Sequence, residues 1–282
     1  MKRLAVLGHP VEHSLSPPMH NAALAELGLA GEWSYEAIDV SPSDFEPVVR
    51  ALPESGFAGV NVTIPHKRAA LALADAASET ARAIGAANTL TFGGGGIAAE
   101  NTDAPGLIAA LPGPGLGSRA LVLGAGGAAR AAVWALLDAG AEVSIWNRTS
   151  ARAETLAREL GAAPIETDAS GQMLPAARFD LVVNATSVGL QRPARAEADL
   201  KALNLDAESF NERQLVVDLV YAETETALVN AARAAGARAI DGREILVHQG
   251  AAALRIWTER EPPLETMRRA IGAATAAPEA GA

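Results

Sequence analysis

Short apolar runs, each followed at once by a stretch with an apolar stripe at helical spacing, recur through most of this chain, and few folds accept that alternation. Leu4 to Leu7 reads as a strand, after which Met19, Ala22, Ala23 and Leu27 share one helix face. Ser16 is placed to cap that helix, Pro17 to open it and Gly28 to close it. Tyr35 to Val40 and Phe57 to Ile64 read as strands, with a helical stripe of Phe45, Val48, Val49 and Leu52 between them. Pro65 to Ala77 and Glu79 to Ala86 read as helices. Asn88 to Phe92 and Ile97 to Glu100 read as extended, joined by a turn at the glycines 93–96.

Pro112-Gly-Pro-Gly-Leu-Gly117 cannot hold regular structure and marks a connection between two units. Beyond it the rhythm restarts, with strands expected at 120–123, 142–146, 180–185, 215–221 and 238–241 and helices at 126–139, 150–160 and 225–235. Strand-helix units with short links imply a parallel sheet covered on both faces and wound right-handedly. The fold class is α/β, with two α/β domains, the second a Rossmann-type doubly wound parallel sheet. Helices at 243–258 and 264–270 are expected to return to the first unit, and the tail from Ala273 to Ala282 to be disordered.

Composition removes several classes of function. The 282 residues include no cysteine, which excludes disulfides, thiolate metal sites and cysteine nucleophiles and points to the cytoplasm. The apolar run near the start is too short for a signal-peptide core, and the most apolar region, Ala120 to Leu137, is broken by Arg130, so no membrane span is expected. A formal charge of -10 argues against nucleic acid as a partner, so any anionic ligand must be met by a few placed groups. The five histidines show no metal-ligand spacing.

The first chemical signal is LVLGAGGAARAAVWAL, residues 121–136. Gly124, Gly126 and Ala129 fit Gly-x-Gly-x-x-Gly/Ala between a strand and a helix, where bare backbone can approach a pyrophosphate and free amides can bind it. An NAD site usually carries Asp or Glu at the end of the next strand, about 20 residues on. Here that place reads Asn147-Arg148-Thr149-Ser150-Ala151-Arg152. A carboxylate would repel a 2'-phosphate, whereas two guanidinium groups and a hydroxyl can bind one, so NADP is favoured.

A second signal is polar residues where an apolar run should end. Asn61, Thr63 and Lys67 stand at the carboxyl end of a strand and on the turn beyond it, where open α/β sheets hold ligands. The segments HSLSP (13–17), AANTL (86–90) and ENTDAPG (100–106) share that polarity.

Taken in order and spacing, GHPVEHSLSPPMHNAAL, GVNVTIPHK, GAANTL, NTDAPGL, GAGGAARA, NRTSARAETLA, NATSVG, DLVY and HQGAAALRIWT closely resemble the shikimate dehydrogenase family from about residue 5 to residue 270. The resemblance implies NADPH-dependent reduction of 3-dehydroshikimate to shikimate, on the way to chorismate and the aromatic amino acids. It implies a substrate domain at 1–103, rejoined by 243–272, and an NADP domain at 104–242. Lys67 and Asp103 match the family's catalytic pair. Ser14 and Ser16 match the serines that hold the substrate carboxylate; Thr63, Asn88 and Gln249 match residues around the ring hydroxyls, and Tyr221 a tyrosine reaching the substrate, with Asn61 expected beside them as a further substrate-binding residue. Gly124, Ala125, Gly126, Gly127 and Ala128, then Asn147, Arg148, Thr149 and Arg152, match the cofactor loops, with Gly242 a backbone contact near the nicotinamide and Leu219 a further cofactor-binding residue.

Three positions depart from the family pattern: Glu223 replaces a proline after Tyr221, and Glu244 and Ile245 replace the glycine and methionine of Gly-x-Gly-Met-Leu. Glu244 and Ile245 put cofactor affinity in question: a partly exposed carboxylate at 244 would weaken NADP binding, or the change would mark a shifted substrate. Quinate or another cyclic polyol acid remains an alternative substrate, a non-catalytic paralogue an alternative role, and a homodimer an open assembly. Hydride arriving at a carbonyl leaves charge on oxygen, which Lys67 can protonate, or Lys67 can only position the substrate.

Overall fold

The computed structural model describes residues 1–113, 119–165, 173–190, 196–222 and 224–272. Glu223, the tail from Ala273 and the part of the interunit connection from Pro114 onward to Gly117 lie outside the described residues. The chain runs β1 (Lys2–Gly8), α1 (Ser16–Glu26), β2 (Trp33–Asp39), α2 (Phe45–Ala51), β3 (Phe57–Val62), α3 (Lys67–Leu73), β4 (Ala76–Ala77), α4 (Glu79–Ile84), β5 (Thr89–Gly93), β6 (Gly96–Glu100) and α5 (Asp103–Ala110). The second unit follows as β7 (Arg119–Leu123), α6 (Gly127–Asp138), β8 (Glu142–Trp146), α7 (Ser150–Leu160), β9 (Ala163–Pro164), β10 (Leu181–Asn184), α8 (Ala196–Ala202), β11 (Leu215–Asp218), α9 (Ala227–Ala234) and β12 (Arg238–Ile240). Two last helices, α10 (Gly242–Thr258) and α11 (Leu264–Ile271), close the described chain.

The first sheet has the order β2-β1-β3-β5-β6-β4. It is mixed: β2, β1 and β3 run parallel, but β5 is antiparallel to both β3 and β6. The hairpin between β5 and β6 turns at Gly94 and Gly95, both with positive φ, the pattern that a two-residue turn requires. The second sheet, β12-β11-β10-β7-β8-β9, is parallel throughout. Its order reverses between β7 and β10, which opens a crevice at their carboxyl ends.

Alternation along the central strands fills both faces of each sheet. In β1, Leu4 and Val6 enter one apolar cluster while Ala5 and Leu7 enter the other; in β7, Ala120 and Val122 face one way and Leu121 and Leu123 the other. Helix α10 spans both units. Ile245 in its first turn packs with the second sheet's core, whereas Val247, Leu254 and Trp257 pack with β1 and α1 of the first. Trp257 donates its indole N–H to the Leu90 carbonyl at 3.2 Å, lying against Gly59, where any side chain would collide with the ring.

Several expectations are corrected in detail. Leu15 is the N-cap of α1; Ser16 is the first helical residue, and its hydroxyl caps nothing. The helix expected over 65–77 is only Lys67–Leu73, because Ala76 and Ala77 pair as a short edge strand with Ala98 and Ala99. Strand β11 stops at Asp218 rather than Tyr221, since Asp218 turns its carboxylate back onto the following loop. Alternation could not reveal β4 or β9, each too short to carry a period.

Candidate active site

Lys67 and Asp103 each open a helix, α3 and α5, so each side chain leaves its helix at the end facing the cleft. The turn carrying Lys67 is held from below. His66 is buried, stacks on Phe45 with ring centroids 4.4 Å apart, and donates from Nε2 to the Val40 carbonyl at 2.7 Å. Burial lowers its pKa, which keeps the ring neutral in that contact. Lys67 Nζ donates to Asp103 Oδ2 at 2.6 Å, and the two side chains keep only 13% and 17% of their exposure. This is a charge-assisted pair at the edge of solvent, with donor and acceptor capacity left over on both partners.

Asn88 is the hub beneath the pair. Its Nδ2 lies within bonding distance of Asp103 Oδ1 (3.0 Å), Thr102 Oγ1 (2.9 Å) and Gln249 Oε1 (3.2 Å), while its Oδ1 accepts from the Thr102 backbone N–H at 2.6 Å. Asn61 sits one layer deeper: its Nδ2 donates to the Asn88 carbonyl (3.2 Å) and to Thr89 Oγ1 (3.1 Å), and its Oδ1 accepts from the Tyr35 hydroxyl at 2.7 Å. With both amide protons of Asn61 engaged, its free capacity is the remaining lone pair, so it can meet a ligand hydroxyl only as an acceptor. Gly106 of α5 makes the approach of α10 possible, because a Cβ there would lie 2.7 Å from the Gln249 backbone nitrogen.

The serines and Tyr221 come together from opposite units. Burial raises the pKa of Tyr221, and the Ser14 hydroxyl and Leu15 backbone lie beside its phenol. Tyr35 is also pushed well up by burial, with the Ser16 side chain beside its hydroxyl and Tyr221 within electrostatic reach. Ser14 Oγ accepts from the Ser16 backbone N–H at 3.2 Å. Thr63 lies against Gly8 at the end of β1, where a Cβ would stand 2.5 Å from the threonine methyl.

Across the cleft, the loop after β7 fits a dinucleotide. Gly124 has φ of 115°, and a Cβ on it would stand 2.9 Å from the Ala185 carbonyl, so only glycine fits at the switch point. Gly126 is the N-cap of α6 without a capping side chain, which leaves the amides of the first turn, through Ala128, for an anion. Ala125 packs against the sheet core behind that loop. At the end of β8, Asn147 donates from Nδ2 to the Thr149 carbonyl at 2.9 Å, shaping a turn from which Arg148, Thr149 and Arg152 project exposed, and the first turn of α7 holds no acidic residue. That set suits a 2'-phosphate. Gly242 lets α10 begin directly on the Leu219 and Val220 backbone: a Cβ would lie 2.6 Å from the Val220 carbonyl and 2.8 Å from that of Leu219.

Three residues of the site had no role in the sequence reading. Thr102 was present in the polar segment ENTDAPG. Tyr35 looked like an ordinary strand residue, since nothing in its own segment shows that its hydroxyl meets Asn61. Asp218 is wholly buried and accepts from Thr226 Oγ1 (2.6 Å), Asn184 Nδ2 (2.9 Å) and the Val220 N–H (3.0 Å). Burial pushes its pKa up to about 7 against the pull of those donors. This knot ties the loops after β10 and β11 that form the crevice wall.

Glu244 does not present a partly exposed carboxylate to the cofactor side. Its side chain is buried and turns away to Arg268 of α11, whose Nε donates to both carboxylate oxygens at 3.1 and 3.0 Å, with His248 Nε2 at 2.9 Å. Burial opposes its ionisation, but the bonds from His248 and Arg268 and the guanidinium charge bring its pKa down to about 2. The carboxylate is already neutralised, so it presents no net charge to a bound nucleotide. Ile245 beside it is buried in the second sheet's core.

Family models match this chain in three segments: the shikimate dehydrogenase substrate binding domain over residues 6–90, shikimate / quinate 5-dehydrogenase over 113–227, and the shikimate 5'-dehydrogenase C-terminal domain over 242–271. A shikimate dehydrogenase (NADP(+)) of Anaeromyxobacter dehalogenans is 45% identical over 280 residues, 95% of each chain. The chain belongs to the shikimate dehydrogenase family. Within solved members, shikimate 5-dehydrogenase from Thermus thermophilus in complex with NADP(H) and shikimate matches with a TM-score of 0.85 and 44% identity, over 96% of this chain and 99% of that one. The ligand-free 5-ketofructose reductase of a Gluconobacter species shares the architecture at a TM-score of 0.80 and 30% identity, over 96% and 98%. Among the described residues no helix is long and apolar enough to cross a membrane.

Proposed function

We propose that this protein is an NADP-dependent oxidoreductase that interconverts 3-dehydroshikimate and shikimate in the pathway to chorismate and the aromatic amino acids. The observation that carries the reading is the Lys67–Asp103 pair at 2.6 Å, partly sheltered in the cleft between a polar floor and a dinucleotide loop. NADPH, when bound, supplies the hydride. Lys67 donates its proton to the oxygen that gains charge, and accepts it in the reverse direction. Asp103 holds the ammonium group through Oδ2 and keeps lone pairs for a substrate hydroxyl. Residues 1–103 with 243–272 hold the substrate and 104–242 the nucleotide. Ser14 and Ser16 meet the carboxylate; Asn61, Thr63, Asn88, Gln249 and Tyr221 surround the ring; Arg148, Thr149 and Arg152 take the 2'-phosphate. A cysteine-free chain fits the cytoplasm.

The curated relatives that are shikimate dehydrogenases (NADP(+)), 45% identical over nearly the whole chain, and the shikimate-bound structure at 44% support shikimate as the substrate. The experiment is to mix purified protein with NADP and shikimate, quinate or fructose in parallel and follow NADPH absorbance. Fastest turnover with shikimate is expected. No turnover with shikimate, or faster turnover with another substrate, overturns the reading.

A further inference from the structure

Gly127 lies in the glycine loop, yet the space its missing side chain leaves open faces Lys67. A Cβ on Gly127 would stand 2.8 Å from Lys67 Cβ, 3.2 Å from Cδ and 3.4 Å from Cγ. The first of these is closer than real Cβ atoms approach, and its partner is the root of the side chain, which cannot swing aside as a tip can. We infer that Gly127 is a positioning residue for Lys67, which lets one turn of α6 set both the nucleotide's place and the ammonium group's; the kinetic part of this inference rests on the proposed reaction.

Neither wall of the contact is free to retreat. On the Lys67 side, the Lys67 carbonyl accepts from the Ala87 N–H at 2.9 Å, and His66 is anchored to Val40. On the α6 side, Arg130 donates from Nε to the Ile84 carbonyl at the end of α4 and from Nη1 to Glu159 of α7, both at 2.5 Å, with its guanidinium against Gly85. An apolar cluster of Ile84, Ala86 and Ala104 with Ala131 and Ala135 fills the space below. A methyl group at 127 must therefore tilt the Lys67 stem or push α6 off the first unit. Tilting the stem lengthens the 2.6 Å contact with Asp103, and either movement shifts the ammonium relative to the nucleotide.

Local rules alone predict the opposite. Gly127 is a helical residue without positive φ, so alanine there would ordinarily strengthen the helix. The sign of the substitution thus separates the contact from helix propensity.

The test is Gly127→Ala in the full-length protein. Turnover of shikimate at saturating NADP is expected to fall about 10- to 100-fold, the scale for a misplacement of about 1 Å. Unchanged turnover, or lost NADP affinity with turnover at saturation intact, overturns the inference. A second measurement does not depend on activity or on the full stability of the variant. The thermal midpoint of Gly127→Ala is expected to drop in the wild-type background and not in Lys67→Gly, where the methyl has room. An equal drop in both backgrounds overturns the contact. If wild type fails to oxidise shikimate, the proposed reaction is what has failed, and the midpoint comparison still decides the contact.

Discussion

Arg268 and Glu244 face each other across α11 and α10 as a buried ion pair, the guanidinium spanning both carboxylate oxygens at 3.1 and 3.0 Å. Glu244→Ala would leave Arg268 buried without its main counter-charge, an expected loss of about 3 kcal/mol or more in urea unfolding at neutral pH, with NADP affinity unchanged. The native pKa of about 2 lies below the ordinary 4.5, so the stabilisation is complete above pH 4.5 and is lost as pH falls towards 2. Tighter NADP binding in the variant would show that the carboxylate acts on the cofactor after all.

His20 supplies a second acid-sensitive term. It is fully buried, stacks on Tyr35 with centroids 4.1 Å apart, and neither ring nitrogen has a hydrogen-bond partner. Burial lowers its pKa from 6.5 to about 3, so the unfolded chain binds a proton that the folded chain refuses. Its penalty is absent above pH 6.5 and grows as pH falls towards 3. His20→Leu is expected to flatten the dependence of unfolding free energy on pH between 6 and 4 by about 1.4 kcal/mol per unit. An unaltered slope would mean that the ring does not titrate on unfolding.

Replacement of Lys67 by Ala is expected to lower turnover at least about 100-fold while shikimate binding, measured calorimetrically, changes little. Equal turnover would remove the ammonium from the chemistry. A large loss of binding with turnover preserved would make it a substrate anchor instead.

Arg148 and Arg152 stand exposed beside a turn with no acidic residue. Substituting either by Ala is expected to raise the Michaelis constant for NADP about tenfold or more, the worth of a charge-assisted hydrogen bond, and to leave that for NAD unaffected. A parallel rise with NAD would place the arginines on another part of the nucleotide.

Thr226 caps α9 by accepting from the Val229 N–H and donates its own proton to Asp218 at 2.6 Å. Thr226→Val keeps the shape and removes both bonds, so a loss of about 2 kcal/mol in chemical denaturation is expected. A smaller loss, within error of zero, would show that the Asp218 knot closes without it.

Much of this architecture is visible in local patterns. Strand β8 and helix α7 fall where the pattern places them, at 142–146 and 150–160, because each carries its own period and its own stop. The glycine at 124 is legible for the same reason: a turn that needs positive φ constrains a residue where it stands. The edge strand at Ala76 is invisible, because two alanines acquire strand character only from the partner beside them.

Family, fold class and nucleotide preference were thus decided by information carried within short segments. What only the tertiary structure decided is which distant groups share a proton or a space: Tyr35 with Asn61, Glu244 with Arg268, Gly127 with Lys67. Those pairings depend on how helices α3, α6, α10 and α11 cross. Crossing is set by summed side-chain packing from all parts of the chain, and no local periodicity encodes it.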